Sequence, residues 1–146
     1  MKEIISFNVN KKYIRNANDI FKKIKKINID YSQENVILFC LNTQEMIISV
    51  DVIFKGGLDL CILDERIIYR KALLNNAAKI IVAHNHPSVC TLEPSEEDIK
   101  NYNLLLESGK IIDILFLDSI VFNEKRYVSM NKLSHKRHNK KERKKK

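Results

Sequence analysis

The chain has 146 residues, enough for one domain with a real core and too few for two comfortable ones. It is 45% apolar and 30% charged, an ordinary soluble composition, and holds no run of the 18 or more apolar residues that a membrane span needs. The three cysteines, Cys40, Cys61 and Cys90, form no CxxC pair, so neither a disulfide framework nor a cysteine zinc site is indicated. "MKEIISFNVNKKY" has only a brief apolar patch and no small-residue cleavage site, which points to a cytoplasmic protein without a leader.

The net charge of +8 is unevenly placed. Of the 26 Lys and Arg, nine fall in "KLSHKRHNKKERKKK" from Lys132 onward, with only one of the 18 acids, so the body is neutral. Composition reads residues 131–146 as a solvated, disordered tail on a domain of residues 1–130. The functional alternative is a phosphate-seeking arm, and without an aromatic residue for base stacking it would bind nucleic acid non-specifically.

In chain order, "NANDIFKKIKKI" (16–27) places Ile20, Phe21, Ile24 and Ile27 on a helical stripe, with Asn16 as N-cap. "NVILFCLN" is a continuous apolar run of strand length, expected in the sheet centre and buried on both faces. "EMIISVDVIFKG" reads as its hairpin partner across the turn "NTQ", ending at Gly56-Gly57. Asp64 is placed to cap a second helix, whose stripe of Ile67, Ile68, Ala72 and Leu74 should face a core. "KIIVAH" is a further strand. A third helix starts at Ser95 and runs through Ile99, Tyr102, Leu105 and Leu106 towards Gly109 as the C′ residue. "IDILFLDSIVFN" and "RYVSM" are strands about a turn at Asn123. This order of hairpins and crossovers predicts an α/β sandwich with a mixed sheet.

The chemistry concentrates in "VAHNHPSVCTLEPSEEDIKN" (82–101). Alternation along a strand puts Ile80, Val82, His84 and His86 on one face, the two imidazoles about 7 Å apart. Asp98 arrives from the first turn of the next helix. Two nitrogens and a carboxylate would leave a tetrahedral zinc one open position for water, as catalytic sites do. The same letters have a plainer reading. "SEED" is a capping box in which Ser95 accepts from the N–H of residue 98, and acids there are favoured by the helix dipole alone. Spacing leaves the two readings level. Adjacent His-Asn-His does not support an HNH nuclease, whose three residues lie far apart in sequence.

"AHNHPS…PSEEDI" resembles the motif of the JAMM/MPN zinc metalloprotease family, His-x-His followed by Ser-x-x-Asp, in its RadC-like form. The likeness extends through "ENVILFCLNTQEMIISVDVIFKGGL", "DERIIYRKALLNNAAKIIVAHNHPS" and "LDSIVFNEKRYVSM", roughly residues 12 to 130. The resemblance implies a mixed sheet flanked by helices, a cytidine-deaminase-like layered sandwich. It implies zinc held by His84, His86 and Asp98, with Ser95 stabilising the tetrahedral intermediate and Glu34 shuttling protons; the pattern of residues alone does not single out Glu34 over Glu45 or Glu65. It further implies hydrolysis of a peptide or isopeptide bond by a zinc-activated water. The substrate is open, and the alternatives are a DNA-repair-associated or nucleic-acid-binding module without activity and a metal-binding but inactive scaffold. Three positions depart from the RadC-like pattern. Val89 stands where a Gly usually follows "HNHPS", eight residues rather than seven separate His86 from Ser95, and Ser119 replaces the histidine of "LDH". Cys90, in that altered loop, reads as incidental, with a competing thiolate ligand as the alternative. The absence of a preceding helical region resembles the family's short form.

Overall fold

The computed structural model describes residues 13–56, 64–86 and 92–145 of the chain. Its first helix, α1 (Ala17–Ile24), starts where the Asn16 side chain accepts the N–H of Asp19 at 3.0 Å, and buries Ile20, Phe21 and Ile24. Strand β1 (Glu34–Leu41) is the continuous apolar run, and both of its faces are covered. Val36, Leu38 and Cys40 enter one core cluster, while Ile37, Phe39 and Leu41 enter a second on the other face. Strand β2 (Ile47–Gly56) returns antiparallel to it. The turn between them is closed by Asn42, whose Oδ1 accepts from the N–H groups of Gln44 and Met46 at 2.9 and 3.0 Å.

Helix α2 (Glu65–Leu74) is capped by Asp64, as its sequence implies, but only Ile68 and Ala72 of the expected stripe are buried. Ile68, Tyr69 and Ala72 are buried, whereas Ile67 and Leu74 are 54% and 67% exposed. Residues seven apart share a helix face, so Ile67 and Leu74 form a stripe of their own, rotated from the one that Ile68 and Ala72 define. Tyr69 packs beside the Ile68 and Ala72 stripe, and its hydroxyl donates to the Leu105 carbonyl.

Strand β3 (Lys79–Asn85), helix α3 (Glu96–Ile112) and strand β4 (Leu115–Phe122) form a crossover unit in which β3 and β4 are parallel. Helix α3 passes through Gly109 and ends three residues later, with Asp113 as its left-handed C-cap at φ 64°. Gly109 is therefore an interior helical residue and not the C′ glycine expected from the sequence. Its lack of a Cβ serves close packing instead: a Cβ there would lie 2.5 Å from the carbonyl oxygen of Ile114 and 2.7 Å from the Tyr69 hydroxyl.

The short β5 (Tyr127–Ser129) follows a turn in which Asn123 Oδ1 accepts from the N–H groups of Lys125 and Arg126. The five strands lie in the order β2-β1-β3-β4-β5, a mixed sheet with α1 on one face and α2 and α3 on the other. This is the expected α/β class.

The basic segment differs from its expectation. Composition suggests a disordered end, but Met130–Lys144 is a helix, α4. Lys and Arg are good helix formers, and cations in a last turn complement the helix dipole. The start is also well tied. Ser129 Oγ accepts from the N–H of Lys132, and the buried Asp118 accepts from the N–H of Asn131 at 3.0 Å and from the Ser129 hydroxyl. Met130 is buried in the core beside α3, which anchors the first turn.

Candidate metal centre

Strand alternation and one helix start bring the site together. Ile80 and Val82 of β3 belong to the core on the α2/α3 face, so His84 and His86 emerge on that same face at the strand's end. On β1, Glu34 shares the parity of Val36 and Leu38 and so faces the same side. Helix α3 then delivers Asp98 from its third position.

The carboxylate of Asp98 lies between the two imidazoles. His84 Nε2 is 2.9 Å from Oδ1 and His86 Nε2 is 3.0 Å from Oδ2. The capping box is also present: Ser95 Oγ accepts from the Asp98 N–H at 3.1 Å, and Asp98 Oδ2 accepts from the Ser95 N–H at 2.9 Å. The two sequence readings are thus compatible, because the hydrogen bonds that start the helix also aim Asp98 at the histidines. Glu34 Oε1 stands 3.8 Å from His86 Nδ1. All five candidate residues, Glu34, His84, His86, Ser95 and Asp98, therefore meet in one place.

Electrostatics support an ionised Asp98. Burial pushes its carboxyl up, but hydrogen bonds from His84 and His86, the charge of His84, and the Ser95 N–H outweigh that and hold it well below the usual carboxylate range. The dipole of a 17-residue helix acts in the same direction. The hydrogen bond to Asp98 raises His86, against the opposing effect of burial, and the Glu34 charge adds to the rise.

The donor set suits a divalent cation. One ligand atom from each of His84, His86 and Asp98 can be chosen so that all lie within 4.8 Å of one another, and imidazole with carboxylate is a zinc-type combination. Two buried polar atoms in the cluster, His84 Nδ1 and Glu34 Oε2, have no hydrogen-bond partner among the described residues. Buried polar atoms are rarely left so in a site complete in itself. Val89 and Cys90, which the sequence analysis singles out in the loop after His86, lie outside the described residues, as do Pro87, Gly57 and Cys61. Ser119 is buried in β4, paired with Val82 one strand away from the histidines.

Sequence reasoning passes over two buried residues at this site, Asn35 and Asn85, on the opposite face of the sheet. Their signal is available in retrospect, as an amide in a run of apolar residues and another between two histidines. Among the described residues no helix is long and apolar enough to cross a membrane.

An α/β domain with a mixed sheet and a His-His-Asp cluster able to hold a metal defines the class of protein. Residues 14–136 match the RadC-like JAB domain, and the chain belongs to that family. It is 36% identical to a UPF0758 protein of Methanococcoides burtonii over 120 residues, 82% of this chain and 52% of that protein. It is 33% identical to a UPF0758 protein of Halalkalibacterium halodurans over 122 residues, 84% of this chain and 52% of the relative. With a UPF0758 protein of Clostridium perfringens it shares 41% identity over 98 residues, 67% of this chain and 43% of the relative. The chain spans about half the length of the curated relatives it matches.

Proposed function

We propose that this chain is a zinc-dependent hydrolase of peptide or isopeptide bonds, working in the cytoplasm, with His84, His86 and Asp98 as metal ligands. The observation that carries the reading is the convergence of those three donors beside a carboxylate, Glu34, that is close to the cluster yet outside the ligand set. When bound, zinc supplies a Lewis acid that brings water within reach of ionisation near neutral pH.

The chain's own groups then have distinct tasks. Asp98, held ionised by its hydrogen bonds, is in the form a cation requires. Glu34 receives a proton from the attacking water and returns it to the leaving amine. The Ser95 oxygen already accepts from the Asp98 N–H, which leaves its own hydrogen to be donated to the oxyanion at the attacked carbonyl. No covalent intermediate with the protein is required. Zinc content and turnover of labelled isopeptide and peptide substrates, in wild type and His86→Ala, test the reading. Equal zinc in both proteins would overturn it.

A second reading has its own observation. From Lys132 to Lys145 the segment holds eight Lys and Arg against one Glu, on a helix whose residues are exposed from Ser134's neighbour His135 onward. Such a surface suits phosphate backbones, and it supports an association with nucleic acid that is electrostatic and indifferent to sequence. The two readings are compatible, with α4 as a localising arm for the enzyme.

A further inference from the structure

We propose that Asn85, the residue between the two histidines, is a positioning residue for Glu34, acting with Asn35 from the far side of the sheet. Its consequence for catalysis rests on the hydrolase reading above; its physical basis does not.

The β1–β3 ladder runs from Leu41↔Lys79 to Val36↔His84 and stops there. One residue beyond, the side chains continue what the backbones leave off. Asn85 Oδ1 accepts the Asn35 backbone N–H at 2.8 Å, and Asn85 Nδ2 donates to the carbonyl of Gln33 at 2.8 Å. Asn35 Nδ2 donates to the same Gln33 carbonyl at 3.0 Å and to that of Asp30 at 2.9 Å, and also lies 3.2 Å from Asn85 Oδ1. The backbone groups immediately before and after Glu34 are therefore both held by the residue that separates His84 from His86.

Both asparagines are 1% exposed. An amide taken out of water costs free energy unless its hydrogen bonds are recovered, and both polar atoms of Asn85 and the Asn35 Nδ2 recover theirs on backbone groups, while Asn35 Oδ1 has no partner among the described residues. An apolar residue at 85 would fill the space but could not accept from one backbone group while donating to another. Parity places the pair on the α1 side, with Ile37 and Ala83, whereas Glu34, His84 and His86 lie on the other. Asn85 thus touches none of the candidate ligand atoms. It fixes the start of β1 against the end of β3, and with it the 3.8 Å between Glu34 Oε1 and His86 Nδ1.

The test uses the full chain with cobalt(II) alone as the spectroscopic probe, comparing wild type, Asn85→Ala, Glu34→Gln, the combined variant and His86→Ala. Asn85→Ala should retain cobalt, escaping the roughly 10–100-fold affinity loss that follows removal of a ligand's own hydrogen-bond partner. Its visible spectrum should shift in the same direction as that of Glu34→Gln, and the combined variant should shift no further than Glu34→Gln by itself. In the metal-free protein the Asn35 amide should exchange its hydrogen about tenfold or more faster, since its acceptor is gone. Should Asn85→Ala fail to fold, Asn85→Asp serves: it keeps the acceptor for Asn35 but cannot donate to Gln33, and should give the same non-additive spectral shift. Unchanged exchange in Asn85→Ala, additive spectral shifts, or an affinity loss of the ligand-partner size would each overturn the proposal. Cobalt retained by His86→Ala would instead overturn the metal-centre reading, leaving the exchange measurement to judge the amide pair.

Discussion

The rings of His84 and His86 stand edge to face, 5.0 Å between centroids and 87° between planes. Side chains two apart on a flat strand would run parallel; here each ring is turned so that Nε2 meets a different oxygen of Asp98. Neither histidine duplicates the other's contact. Single substitutions His84→Ala and His86→Ala should therefore each remove bound zinc, as measured by metal analysis after dialysis, and a variant that keeps the wild-type stoichiometry would exclude that histidine as a ligand.

Glu34 differs from the three proposed ligands in its contact, which is with His86 Nδ1, whereas Asp98 meets the Nε2 atoms. Glu34→Gln keeps size and hydrogen bonding but cannot take a proton. It should leave zinc bound while lowering hydrolysis by roughly 10²-fold or more. Loss of zinc in this variant would make Glu34 a ligand or a structural group.

Gly109 tests the packing of α3 on α2. Alanine in a helix interior is normally favoured over glycine by about 1 kcal/mol. Here the added Cβ would meet a backbone oxygen at 2.5 Å and the Tyr69 hydroxyl at 2.7 Å. That hydroxyl is held by its hydrogen bond to the Leu105 carbonyl, and burial pushes its pKa up to about 12. The clash should reverse the sign, with Gly109→Ala destabilising by about 1–3 kcal/mol in urea unfolding. A stabilised variant would show that the helix shifts to make room.

Asp118 should give the protein an acid-side pH dependence. Burial raises its pKa, against hydrogen bonds from the Ser129 hydroxyl and the N–H groups of Asn131 and Ser119 and the charge of Lys132. The folded state then holds its proton more tightly than the unfolded chain, whose value is about 3.9. Its contribution is most favourable below that unfolded value, declines as pH rises through the higher folded value, and is constant above it. The stability of Asp118→Asn relative to wild type should therefore increase from about pH 3 towards neutrality and then level off. A difference that does not vary with pH would show that the carboxyl is not perturbed.

The basic helix can be tested apart from the metal. Deleting residues 132–146 should abolish binding of duplex and single-stranded DNA and spare zinc, since no candidate ligand lies there. Binding by the full chain should weaken steeply with salt and show little sequence preference. Salt-insensitive binding that survives the truncation would place the recognition surface on the neutral body.

Much of this was legible in the sequence because it depends on local periodicity. The continuous apolar run of β1 has to be buried on both faces, and alternation along β3 places His84 and His86 on the face of Ile80 and Val82. The Ser95–Asp98 box starts α3 through contacts three residues apart, so its letters suffice. What the sequence left open are choices between elements distant along the chain. The rival stripes of α2 are both apolar, and the one that packs is the one beside Tyr69, whose hydroxyl bonds to the Leu105 carbonyl 36 residues away. Gly109 looks like a helix terminator until Ile114 and Tyr69 crowd it from outside the helix. The charge of the last segment suggests a solvated coil, but Asp118, a residue of β4, supplies part of the cap that starts α4. Glu34 carries no local mark either. It joins the site because β1 pairs with β3 in one register, and a slip of one residue would turn it to the opposite face.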